Sequence, residues 1–558
     1  MTGPRWLFPA VATASVAAPV LAGLLGTILP AFGLLPALGG TSPSLAPWRI
    51  LFAQPGLAAS VELSLFVGLA ATALSLAAVS LATAAFHGTR AFHAIQAATA
   101  PILATPHIAI AIGFLAIAAP SGTLARLAAP FMGWQTPPDI TTVNDPWGLA
   151  LTAGLVLKEA PYLLLMTLAA LNQIPARRLL AVATSLGQPP PVAWLKIVFP
   201  LVYRQIRLPV LAVLAYALSV VDIAILLGPD RRPPLAVLVV RWFFDPDLSR
   251  VFPAAAAACL VLVLTAAAML VWIAAERLLG PLQRRWAASG HRQGSPAIRI
   301  AGLALPAAAA LALLSLAAAS LWSVAGPWRF PDPFPTRLDL ASWTAHLPDL
   351  LAPFRTTLLA AIAATLLAMA LSVAALEAVS RHRQAARPRL LHLTLLPLLV
   401  PQTAFLFGLQ VALLSLGLDG GWPALIWAHL VFVLPYVLLS LSHPYAALDP
   451  RLAHAAACLG ASPTRIMLAV KLPVLLRPLL AAAAVGVAVS AGQYLSTLFA
   501  GGGRMATLAT EAVTLSSGGD RRVMGVFAVA QTGLPLIFYA AALLLPRLAW
   551  RNRAGLRA

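Results

Sequence analysis

Apolar runs of about twenty residues, the length a helix needs to cross the hydrocarbon core of a bilayer, recur from one end of this chain to the other. Twelve can be marked: 9–32, 60–86, 98–118, 147–170, 208–228, 253–275, 299–323, 356–378, 391–415, 423–442, 478–500 and 525–546. In lipid every backbone N–H and C=O must pair internally, which leaves helices or closed barrels. Runs of this length select helices. Composition closes the soluble alternative, because 60% of the 558 residues are hydrophobic and 10% charged, against about a quarter charged in a soluble domain. The expected class is an all-α integral membrane protein with about 12 transmembrane helices.

The charges that remain are unbalanced: 37 Lys+Arg against 17 Asp+Glu, a net +20. In a soluble protein that excess would point to nucleic acid. Here the basic residues lie between apolar runs, where they set orientation, and no nucleic-acid partner is expected. If the N-terminus is cytoplasmic, 24 of the 37 fall on the cytoplasmic side, among them Arg5, Arg177, Arg178, Arg284, Arg285, Arg383, Arg387, Arg389 and Arg551. Twelve fall outside and Lys158 sits within a span. The bias predicts a multi-pass cell (inner) membrane protein with both termini cytoplasmic. The apolar stretch after Arg5 is long for a cleaved signal and reads as the first anchor. Cys259 and Cys458 sit in or beside apolar stretches and suggest neither a disulfide nor a metal site.

The chain also repeats itself. Residues 178–204 (RLLAVATSLGQPPPVAWLKIVFPLVYR) match 451–477 (RLAHAAACLGASPTRIMLAVKLPVLLR), with Arg178/Arg451, Gly187/Gly460, Pro190/Pro463, Pro200/Pro473 and Arg204/Arg477 all 273 apart. Upstream, Pro161-Tyr162 matches Pro435-Tyr436, Pro106 with Gly113 matches Pro401 with Gly408, and Ala70-Ala71-Thr72 matches Ala363-Ala364-Thr365. Six spans per unit is an even number, so both units enter the membrane the same way, as two parallel six-helix repeats. The division expected is a first half over 1–275, a basic cytoplasmic linker over 276–298 and a second half over 299–558. Each repeated segment reads as a short helix, a Leu-Gly break that a β-carbon would hinder, and an apolar-basic stretch ending at a Pro 13 residues after the Gly.

The Ala-Ala-x-x-x-Gly spacing followed by that Pro resembles the EAA loop of ABC-importer permeases, and the duplicated form resembles the fused permeases of the ferric-iron/thiamine branch. The stretch 489–520 (VSAGQYLSTLFAGGGRMATLATEAVTLSSGGD) is most similar to an uncharacterised thiamine-type permease of that branch. The resemblance implies the type I importer permease fold. It assigns coupling to an ATPase to Ala181, Ala183, Gly187, Pro190 and Pro200, and to His454, Ala455, Ala456, Gly460, Pro463 and Pro473. The family's leading Glu is replaced here by Ala181 and His454. Expected partners are a separate cytoplasmic ATPase dimer, which binds ATP and magnesium, an extracytoplasmic solute-binding protein, and the bilayer. No cofactor is expected in this chain, and no phosphate-cradling G-x-x-x-x-G-K-[ST] occurs in it.

Polar groups within spans are costly and mark function or packing. Asp222 falls in the fifth run, and Gln493, Tyr494 and Thr497 lie close to the equivalent place in the second half. Two readings stay open for them: hydrogen bonds that pack the halves together, or the lining of a translocation path. Lys158 and Glu159 are expected to pair with other helices, and Glu62 and Glu377, near span ends, to reach water. The scattered histidines, His107 and His429 among them, lack ligand spacing and read as loop or packing residues. The rival is a proton- or sodium-coupled carrier with two six-helix repeats, which would more often show a relay of intramembrane carboxylates. A membrane-embedded enzyme finds no nucleophile–base or metal arrangement here.

Overall fold

The structure, a computed structural model, describes residues 7–290, 292–294, 296–381 and 391–549. Among these, secondary structure is helical throughout apart from two isolated bridges, Leu35 with Gly40 and Ala325 with Leu338. Ten helical stretches among the described residues are long and apolar enough to cross a membrane, and eleven if a pair bent at Leu475 counts as one span. The basic residues Arg5, Arg383, Arg387, Arg389 and Arg551 lie outside the described residues, and so do both chain ends.

Five of the twelve expected runs are broken rather than continuous, one of them, 299–323, only near its start, between Pro296–Ala301 and Ala304–Val324. Run 98–118 divides into Arg90–Ala104 and His107–Ala118, and run 391–415 into a 3-10 turn, Leu393–Leu398, and the 14-residue helix Gln402–Ser415. Both breaks fall at the repeated prolines, Pro106 and Pro401, which lack a donor N–H and push the preceding residue out of the helical region. Runs 208–228 and 478–500 also break, into Phe199–Ser219 with Asp222–Leu227, and Leu476–Ala491 with Tyr494–Gly501. Other helices outrun their apolar cores. Val251–Ala288 spans 38 residues and Ala341–Arg381 spans 41, so the expected linker begins as a helical extension of the sixth run.

Two close crossings join helices far apart in the chain. Leu7–Ala31 lies against Gln402–Ser415, and Ala304–Val324 against His107–Ala118. The crossings are close enough to need glycine: a Cβ on Gly408 would sit 1.9 Å from the carbonyl oxygen of Gly23, and one on Gly113 would sit 2.0 Å from that of Ser315. Small residues let backbones approach this way in lipid, where helix association rests on packing rather than on hydrophobicity. The Gly408 N–H also donates to Thr27 Oγ1 at 3.2 Å. The largest apolar cluster accordingly contains Ala12 and Val16 beside Phe405 and Val431, which knits the halves into one core.

Candidate functional site

The two repeated segments have the same local build. Helix Ala176–Ser185 ends at Leu186, and Gly187 follows with φ +82°; Pro450–Cys458 ends at Leu459, and Gly460 follows with φ +77°. After each glycine the chain turns by the same pair of hydrogen bonds. Gly187 N–H donates to Thr184 O and Gln188 N–H to Ala183 O, at 2.9 and 3.0 Å; Gly460 N–H donates to Ala457 O and Ala461 N–H to Ala456 O, at the same lengths. This is a Schellman ending, whose left-handed residue favours glycine. Pro190 and Pro463 then open short helices, where a missing N–H costs nothing. Each leads into a π-helical turn, Trp194–Val198 and Met467–Lys471. Pro200 and Pro473 each follow that turn as the second residue of the next helix.

Ala183 is buried, whereas Ala181, His454 and Ala455 are exposed and Ala456 is half-buried. The leucine before each glycine points outward, Leu186 being 62% and Leu459 88% exposed. An apolar tip at a tight turn is a surface with which a partner could pack.

The support beneath the two segments differs. The first rests on Leu57–Phe86 and Val251–Ala288. Trp194 is fully buried there, Lys196 Nζ donates to Ser289 O at 3.2 Å, and its ammonium lies 5.4 Å from the Trp286 ring. The side chain of Arg292 lies against Gly187. The second segment has no buried residue from Pro450 through Val474. It is held instead by Lys471, paired with Glu377 at 2.7 Å. Glu377 is therefore a buried ion-pair partner, contrary to the expectation that it reaches water; its helix runs on past the apolar stretch and carries it beneath the second segment.

Deeper in the bundle the helix breaks gather polar groups. Asp222 is buried and opens Asp222–Leu227, its Oδ1 accepting the Ile223 N–H at 2.9 Å. The break thus gives the side chain a backbone donor at the helix start, where the first N–H groups have no partner within the helix. The helix that Asp222 opens packs on His107–Ala118 and Leu149–Leu171, the helices that carry His107 and Glu159. His107 Nε2 lies 3.3 Å from Glu159 Oε1, and its ring centroid 5.0 Å from that of Tyr216. Among the described residues Lys158 pairs with no carboxylate on another helix. It donates to the carbonyls of Ile102, Leu103 and Thr105, closing the C-terminal end of Arg90–Ala104, where a cation suits the dipole.

In the second half Gln493 stands just before Tyr494–Gly501, Ser496 donates to its side chain at 2.7 Å, and Thr497 donates to its carbonyl at 2.7 Å. His429 spans this break, its ring nitrogens 2.7 Å from Ser490 Oγ and 3.0 Å from Thr497 Oγ1. Tyr494 is half-buried. The structure thus brings Thr497 and Gln493 together and sets Asp222 at the other break with His107 and Glu159. No group of three or more His, Cys, Asp or Glu among the described residues could hold a metal. Sequence reasoning read His107 and His429 only as loop or packing residues and showed no sign of the Glu377–Lys471 pair. Their partners lie 52 to 94 residues away, beyond any local spacing signal.

A bundle of long apolar helices, with broken spans around buried polar groups and two like-built exposed turns, defines an all-α multi-pass membrane protein. No family model matches the chain. Over 545 residues it is 32% identical to the inner membrane ABC transporter permease protein YnjC of Escherichia coli (strain K12), covering 98% of this chain and 97% of that one. The chain belongs to the ABC transporter permeases, and its role is non-catalytic transport within the membrane.

Proposed function

We propose that this chain is the fused permease of an importer of the ferric-iron/thiamine branch, with twelve spans in two parallel six-helix halves and both termini cytoplasmic. Residues 178–204 and 451–477 are its two coupling segments, each seating one protomer of a cytoplasmic ATPase dimer. Solute arrives from an extracytoplasmic binding protein and passes the helix breaks at Asp222 and at Gln493, Tyr494 and Thr497. One observation carries this reading: the same Schellman turn and π turn stand 273 residues apart, each with an exposed leucine at its tip. ATP closure of the dimer would draw the two segments together and rock one half against the other.

The buried Glu159 and Asp222, with the half-buried His107, favour a second reading, an ion-coupled carrier, since titratable groups inside a membrane can relay protons. Replacing Gly187 or Gly460 by Leu separates the two. The left-handed φ at each position strains any side chain, by about 1–2 kcal/mol, and disturbs the turn. An ATP-driven importer retains ATP hydrolysis but loses uptake in both variants, at least about tenfold. An ion-coupled carrier keeps its uptake.

A further inference from the structure

Both coupling segments must pass motion into the bundle, but only the first does so along an unbroken helix. From Pro190 to Ser219 the chain stays helical through the π turn. In the second copy Pro463–Val474 and Leu476–Ala491 meet at an angle of 76°, with Leu475 between them. A lever jointed so near its load swings about the joint unless its outer arm is tied down.

The tie lies on that outer arm, four residues before the bend. Lys471 Nζ donates to both carboxylate oxygens of Glu377, at 2.9 and 2.7 Å, and the Tyr445 hydroxyl donates to the same carboxylate. Glu377 belongs to Ala341–Arg381 and Tyr445 to Trp422–Ala446, so three elements meet at one group. The positions matching these three in the first half, by the spacings of the repeat, are Ala84, Leu171 and Val198, all buried in one apolar cluster. The half with the unbroken helix has a greasy contact where the half with the bend has a charged one.

Glu377 and Lys471 side chains are only 11% and 14% exposed. A pair so placed recovers little more than its own desolvation cost, and apolar residues often do as well or better. Stability is therefore a poor reason for it. Direction is a better one, because charge-assisted bonds to two oxygens fix an angle as well as a distance.

We propose that Glu377, itself held by Tyr445, is a positioning residue that ties the outer arm of the second coupling segment to Ala341–Arg381 and so carries its motion past the bend at Leu475. The proposal rests on the reading of 451–477 as a coupling segment.

Two measurements test it. The first is hydrogen exchange on the full chain alone in lipid nanodiscs, comparing wild type with Glu377→Gln. The tie predicts that backbone amides of 463–475 exchange at least tenfold faster in the variant, while those of 190–202 are unchanged. Equal acceleration of both segments, or none in 463–475, overturns it. The second is the ratio of solute taken up to ATP hydrolysed, measured on the chain co-purified with its ATPase in proteoliposomes. Glu377→Gln lowers that ratio at least tenfold with hydrolysis within about threefold of wild type, and Lys471→Arg, which keeps the charge, stays within about threefold on both counts. An unchanged ratio in Glu377→Gln overturns the role. Should that variant fail to assemble, Lys471→Met carries the same expectations and the same contradictions. A wild-type chain that recruits no ATPase sinks the coupling reading itself, and exchange on the chain alone still decides independently whether the tie exists.

Discussion

The two repeated segments, 178–204 and 451–477, share a shape and differ in what holds it. Both turn at a left-handed glycine, reopen at a proline and pass through a π turn. Beneath the first, Trp194 is 1% exposed and the Val251–Ala288 helix forms a brace; beneath the second, an ion pair substitutes for both. The shared part is dictated by short-range chemistry, a Leu-Gly step and a Pro, which duplication carries along intact. The support depends on contacts between distant residues, and these differ from one segment to the other.

That contrast can be broken first where it is widest. Trp194→Ala removes a fully buried ring and is expected to destabilise the purified chain by about 3 to 5 kcal/mol. Met467 occupies the matching place 273 residues on and is half-buried. Met467→Ala is expected to cost about 1 kcal/mol or less, in line with a substitution that opens no cavity. Thermal unfolding of the two variants side by side reads the difference, and equal losses would show that the segments are supported alike.

The lysines sharpen the comparison at intermediate size. Lys471→Met leaves the Glu377 carboxylate buried without its ammonium, an expected loss of about 3 kcal/mol. Lys196→Met removes a hydrogen bond to a backbone carbonyl and a cation–π contact, together about 1–2 kcal/mol. Denaturation of the two variants in one detergent should rank them in that order.

The smallest effect is expected at the turns. Gly187→Ala and Gly460→Ala each impose a left-handed φ on a side chain, at about 1 kcal/mol. The two should cost the same, because the nearest atom to a Cβ at Gly187 is an Arg292 side-chain carbon at an ordinary contact of 3.4 Å, and nothing lies within 4 Å of one at Gly460. Hydrogen exchange of the amides just after each glycine measures this. A larger effect at Gly460 would place an unseen contact on the second turn.

Much of this molecule was legible from the apolar runs. They located the bundle, and the proline and glycine spacings located both turns. The breaks near Asp222 and Gln493 were not legible in the same way. Val220-Val221 carries neither Pro nor Gly, and the run 208–228 is as apolar as its neighbours, so hydropathy shows one span where the backbone makes two helices. Helices that continue past their apolar cores were hidden too. Glu377 looked like a residue at a water-facing end because the run fades there, yet its helix runs on to Arg381 and places it under Lys471. His429 gave no signal, since Ser490 and Thr497 meet it only once two helices pack across a break.

The source of the driving energy is what separates an ATP-coupled permease from an ion-coupled carrier. In proteoliposomes holding this chain with its co-purified ATPase and the cognate binding protein, solute should accumulate only when ATP is supplied, and not when the ATPase is left out. Accumulation by the chain alone on a proton or sodium gradient would contradict the coupling of these two segments to an ATPase.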